Sequence, residues 1–178
     1  WGTTATRPVP EQNLLKMLMK HLGEKSFYYV DSVTTCICGE FLARLPDCAT
    51  LAVVGAEPSG RKIVAHLDYN LVHLLIDRLL GGSGEVASEN RPLSETEAGV
   101  IQYLIMQVMA TIWKTFGDAG RYHFRFEKFV FNPSDVEKTV LSAKESAVTV
   151  TFRVGIGEHS GFVKLLFPKQ FIEKVALD

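Results

Sequence analysis

With 178 residues, 47% of them hydrophobic and 22% charged, the chain has the composition of one compact globular domain, which excludes bulk disorder and a need for metal or disulfide staples. A formal net charge of −1 supplies no field that would gather nucleic acid or an anionic membrane surface. The apolar stretch Tyr103 to Trp113 is interrupted by Gln107 and is too short to span a bilayer, and no basic-then-apolar leader opens the chain.

Residues 1–9, rich in Thr and Pro, read as a linker or tail, and 10–178 as a single domain; starting at Trp1 rather than Met, the chain reads as a fragment of a longer protein. Leu14, Leu15, Leu18, Met19 and Leu22 recur at helical spacing, predicting a helix over Glu11 to Leu22 that Gly23 stops. Aromatic and β-branched residues predict a strand over Ser26 to Cys38, and Gly39 to Pro46 a short helical turn. On that strand Cys36 and Cys38 would share a face. No second pair or His cluster completes a zinc tetrahedron, and small apolar residues in a reducing compartment are the simpler reading.

Ala49 to Gly55 and Lys62 to Leu67 form a predicted hairpin about Glu57-Pro58-Ser59-Gly60. Asp68 is placed to cap a helix over Tyr69 to Leu80 with the stripe Leu71, Leu74, Leu75 and Leu79, ended by Gly81 and Gly82. After a polar loop over 83–92, Ser94-Glu95-Thr96-Glu97 is a capping box that opens a long helix to about Phe116. In Arg121 to Phe131, Tyr122, Phe124 and Phe126 fall on one parity, and Phe129 and Phe131 on the other. That switch predicts a β-bulge near Glu127-Lys128, with the second pair on the opposite face. Asn132-Pro133 closes the strand. Ala147 to Ile156 and Gly161 to Phe167 are two more strands, and Pro168 opens a last helix at its first position.

Leu67-Asp68-Tyr69 and Phe167-Pro168-Lys169 repeat one strand-end, helix-start pattern a hundred residues apart, each after a hairpin whose turn carries Gly60 or Gly161. Each half reads helix, strand, hairpin, helix. The expected fold is therefore an α/β domain with approximate twofold symmetry and a largely antiparallel sheet.

Catalytic constellations do not assemble. Gly60-Arg61-Lys62 lacks the glycine spacing of a phosphate loop, and Gly81-Gly82-Ser83-Gly84 follows a helix rather than a strand, so it is neither a dinucleotide fingerprint nor a nucleophile elbow. The five histidines are scattered, with no pair at i, i+4, although His66 and His73 are close enough in sequence to approach each other. The aromatic strand around Arg125 and Lys128 has the interleaving of a base-stacking platform, but near-zero net charge favours a sheet core. What is left is the glycine loop. Two glycines suffice for a helix cap and tight turn; the third, Gly84, opens the backbone to close approach by another chain. On the residues alone both readings stand.

Several segments together resemble the middle domain of FliM, the flagellar motor switch family: Gly39 to Pro46 (GEFLARLP), Asp68 to Glu85 with its D-x-L-x-G-G-x-G pattern, Leu93 to Phe116, and Asn132-Pro133 with the Val154 to Gly157 and Gly161 to Pro168 segments. The resemblance runs from about residue 26 to the end. It implies a pseudo-twofold, three-layer α/β/α domain of CheC-like architecture that carries no reaction and needs no cofactor or metal. Gly81, Gly82, Ser83 and Gly84 would dock FliG, with Asp77 and Arg78 as polar neighbours, and the flanks would make weak lateral contacts to other FliM copies. Contacts to FliN and phosphorylated CheY would use segments mostly absent here: no CheY-capturing peptide is recognisable in residues 1–13, nor a FliN-pairing C-terminal domain. The implied location is cytoplasmic, peripheral to the inner membrane at the base of the motor. CheC and CheX phosphatases share the architecture and use Glu-x-x-Asn on a helix. No glutamate in this chain has Asn three positions later, which argues against that activity. A ring protein of a type III secretion injectisome is a further alternative.

Overall fold

The computed structural model describes residues 10–84, 91–116 and 122–177. The sequence readings of residues 1–9, of the loop over 85–90 and of Arg121 lie outside the described residues. In chain order the elements are α1 (Pro10–Leu22), β1 (Ser26–Ile37), α2 (Cys38–Ala43), β2 (Thr50–Glu57), β3 (Arg61–Leu67), α3 (Tyr69–Leu79), α4 (Glu95–Phe116), β4 (His123–Val130), α5 (Pro133–Thr139), β5 (Ser146–Ile156), β6 (His159–Pro168) and α6 (Lys169–Leu177). The six strands form one sheet in the order β1-β5-β6-β3-β2-β4, with every neighbouring pair antiparallel.

That order is its own mirror in sequence. Exchanging β1 with β4, β5 with β2 and β6 with β3 leaves it unchanged, about a centre where Ala65 pairs with Leu165. Each half runs α-β-α-β-β-α, so the predicted internal echo is real and gains one short helix per half. The second of these, α5, was not anticipated. Seven residues are too few for periodicity to register, yet its signal is legible: Asn132 accepts from the Ser134 N–H at 3.0 Å, and Pro133 occupies the first turn. Two boundaries also differ. Gly161 is not in the hairpin turn but inside β6, paired with Val154, while Gly157 (φ +62°) makes the turn. Pro168 is the last residue of β6, with α6 following it.

Helices cover both faces of the sheet. On one, α1, α3 and α4 bury Leu18, Leu22, Leu71, Leu74, Leu75, Ile101 and Leu104 against Ala52, Ala65 and Ile156. On the other, α2 and α5 bury Cys38, Leu42 and Val136 against Leu51, Val53, Val64 and Leu166. Phe171 of α6 packs on Ala56 and Ile63, whose alternation places them on the α3 face. Each fully buried Leu or Ile contributes about 1.5–3 kcal/mol, which is why the apolar stripes, and not helix propensity, decide where the helices sit.

The β-bulge lies where the parity switch placed it. Val53 pairs with Lys128 and Val54 with Phe126, leaving Glu127 extra. Its consequence is the reverse of the expectation. The extra residue restores the alternation, so Phe126 and Phe129 lie on one face with rings 4.9 Å apart, and Phe131 joins the same cluster. Glu127 turns its carboxylate over Gly55 and pairs with Lys62 at 2.7 Å. Cys38 is not on the strand with Cys36; it opens α2, fully buried, and both pack in the second cluster.

Candidate functional site

The predicted site residues all lie at the C-terminal end of α3 and in the loop beyond it. The helix is fixed first at its start. Asp68 accepts from the Leu71 N–H at 3.2 Å and donates its own N–H to the Phe162 carbonyl at 2.9 Å, tying the helix entry to β6. Gly161 makes this approach possible: a Cβ there would stand 2.6 Å from Asp68 Oδ2 and 2.7 Å from Leu71 Cβ. Six successive residues, Leu71 to Ile76, are then buried.

Beyond Ile76 the helix leaves the core. Asp77, Arg78 and Leu79 are half-buried, and Leu80 is 66% exposed. The helix ends in a Schellman motif, with the Gly82 N–H donating to the Asp77 carbonyl at 2.8 Å and the Gly81 N–H to the Arg78 carbonyl at 3.1 Å. Gly81 has φ +89°, in the left-handed region where a side chain is strained. The chain then folds back. Gly84, φ +95°, is buried on the α3 face made by Leu74, Asp77 and Arg78, and its N–H donates to Asp77 Oδ2 at 2.5 Å. Arg78 Nε is buried with no hydrogen-bond partner among the described residues. Leu80, Gly81 and Ser83 are left outward.

The far side of the loop is equally fixed. Ser94 N–H donates to Glu97 Oε2 at 2.8 Å and Glu97 N–H to Ser94 Oγ at 3.3 Å, the predicted capping box. Arg91 grips both oxygens of Glu97 at 2.8 and 2.7 Å. Leu93, buried just before the cap, packs in the α3–α4 core with Ala98 as a hydrophobic staple. The Arg91 bond, helped by Ser94, holds the Glu97 carboxyl down at about 2. His73, in the middle of α3, packs its ring 4.4 Å from that of Tyr69 in a tilted arrangement, and burial lowers its pKa. His66 alternates onto the opposite face of the sheet, so the two histidines do not meet.

Leu80 to Gly84 form a short, backbone-rich segment held onto the end of α3 by the Schellman bonds and by the Asp77 carboxylate, with one exposed apolar side chain, Leu80, at its edge. Among the described residues, no group of three or more His, Cys, Asp or Glu side chains could hold a metal. No described helix is long and apolar enough to cross a membrane. The four glycine-loop positions follow the end of α3 as expected, and the structure adds two points. Leu80 is exposed, which its phase relative to Leu71, Leu74 and Leu75 would have shown. Asp77 is turned inward onto the loop, which only the fold-back of Gly84 reveals.

Comparison with known proteins covers nearly the whole domain. The family model of the flagellar motor switch protein FliM matches residues 12–177. The chain belongs to the FliM family. The FliM of Treponema pallidum is 27% identical over 147 residues, which is 83% of this chain and 42% of that protein. The chain thus spans about two fifths of the length of that FliM relative. Among solved structures, a FliG–FliM complex from H. pylori matches with TM-score 0.84 at 23% identity, covering 94% of this chain and 91% of that one. A CheC-like superfamily protein from Shewanella sp. PV-4 matches with TM-score 0.50 at 13% identity, covering 88% and 92%. The mixed helical and antiparallel architecture is thus that of FliM middle domains and, more distantly, of CheC-like proteins. FliM is a structural component of the flagellar motor switch.

Proposed function

We propose that this domain is a non-enzymatic scaffold of the flagellar motor switch and that Leu80 to Gly84, supported by Asp77 and Arg78, docks FliG. The observation that supports it is the double anchoring of Leu80 to Gly84: a Schellman motif at Gly81-Gly82 and the bond from the Gly84 N–H to the Asp77 carboxylate hold this segment without a partner. A preformed loop spends little ordering entropy on binding. In this reading other FliM copies contact the flanks weakly, FliN and phosphorylated CheY act mainly through segments outside residues 10–178, and the domain sits in the cytoplasm at the base of the motor, beside the inner membrane.

A pull-down against the FliG middle domain tests the assignment. Gly82→Asp and Gly84→Asp should each abolish capture while circular dichroism shows the domain still folded, with a lower melting temperature because both side chains enter occupied space. Capture retained by both folded variants would remove the loop from the interface. Phosphorylated CheY should lose phosphate at its spontaneous rate in the presence of the domain. Any acceleration would overturn the scaffold-only reading.

A further inference from the structure

We infer that Asp77 is the positioning residue of the docking loop, and that positions 77 and 82 form a single latch; this rests on the reading above that the loop docks a partner. The Asp77 carboxylate does not point to solvent, where a partner would meet it. It lies under the loop, accepts from the Gly84 N–H at 2.5 Å, and fills the space where a side chain at position 82 would be: a Cβ built on Gly82 falls well inside contact distance of both carboxylate oxygens. Gly82 carries no positive φ, unlike Gly81 and Gly84. Its backbone therefore does not demand glycine; the carboxylate of Asp77 does.

The placement of Asp77 supports the same conclusion. A carboxylate in the last turn of a helix faces the negative end of the macrodipole and is unfavourable there unless a local donor compensates it. The Gly84 N–H is that donor. Residue 77 also supplies the carbonyl that receives the Gly82 N–H, so one residue holds two of the three glycines, through its backbone and through its side chain. A methyl group at 82 would drive the carboxylate out and free the Gly84 N–H. Gly82→Ala and Asp77→Ala then damage the same bond by different routes, and the second change has nothing further to remove.

The test uses the 178-residue chain, with amide exchange at Gly84 measured by NMR and affinity for the FliG middle domain measured by titration. Asp77→Ala and Gly82→Ala should each speed exchange at Gly84 and weaken binding by about tenfold, as expected when the binding-competent loop falls to roughly a tenth of the population. Asp77→Asn, whose amide oxygen can accept the same N–H, should recover most of both. The double variant Asp77→Ala/Gly82→Ala should bind no more weakly than either single one. Losses that multiply in the double variant, or unchanged exchange at Gly84 in Asp77→Ala, would overturn the latch. If exchange behaves as expected while all four variants bind as the parent does, the latch stands and the docking assignment fails.

Discussion

Gly161→Ala should destabilise the domain more than any surface substitution, because a single methyl group there meets two atoms that cannot both move. The new Cβ would lie 2.6 Å from Asp68 Oδ2 and 2.7 Å from Leu71 Cβ. Leu71 is fully buried among α3, the sheet and α4, so it has no room to retreat. Overpacking of this kind costs about 1–3 kcal/mol. If Asp68 rotates away, the clash with Leu71 remains and the Asp68 bond to the Leu71 N–H is lost as well, at about 1 kcal/mol for an N-cap. The two together come to about 2–4 kcal/mol, or roughly 5–15 °C in Tm for a domain of this size. Gly99→Ala is the matched control. It lies on the exposed side of α4 with no atom within 4 Å of the added Cβ and no positive φ, so alanine should stabilise by about 0.5–1 kcal/mol. Chemical denaturation of both variants checks the argument. A loss below about 1 kcal/mol for Gly161→Ala, or equal losses for the two, would refute the claim that close approach fixes the glycine in β6.

Three further outcomes follow from single sites. Leu80→Ala should lower FliG affinity by about 5–30-fold while changing stability by less than about 0.5 kcal/mol, because the side chain is 66% exposed and loses only the apolar contact made on docking. His66 is pushed down to about 4, chiefly by burial and secondarily by Lys164 across the strand pair. A folded pKa below the unfolded value means the neutral form is favoured by folding, so this contribution is complete above about 6.5 and is lost as pH falls toward about 4. The His66 ring should therefore show no NMR titration at pH 6 to 8, and a midpoint above 6 would contradict its burial. Burial, with Glu145 and Cys36 adding to it, raises the Cys38 thiol to about 11. Iodoacetamide at pH 8 should accordingly modify the partly exposed Cys36 and Cys48 before Cys38, as read by mass spectrometry.

Much of this molecule was written locally. The cap at Asp68, the capping box at Ser94, the hairpin turn at Gly60 and the bulge at Glu127 each depend on a few neighbouring residues, and each was legible without the fold. The repeat of strand-end and helix-start at Leu67 and Phe167 went further and announced the pseudo-twofold sheet before any pairing was known. The glycine loop was legible for the same reason: left-handed backbone at Gly81 and Gly84 leaves a mark on sequence. Other features depended on atoms far apart in the chain. Gly161 reads as a turn residue until Asp68 and Leu71 are brought against it from ninety residues away. Phe129 and Phe131 change face only once the extra residue at 127 is fitted against β2. Asp77 reads as a polar neighbour of the loop until Gly84 folds back over it. The sequence by itself determined most helix starts and stops and the glycine-rich end of α3. Tertiary structure decided what lies under that loop, because a contact between distant residues leaves no period and no spacing to read.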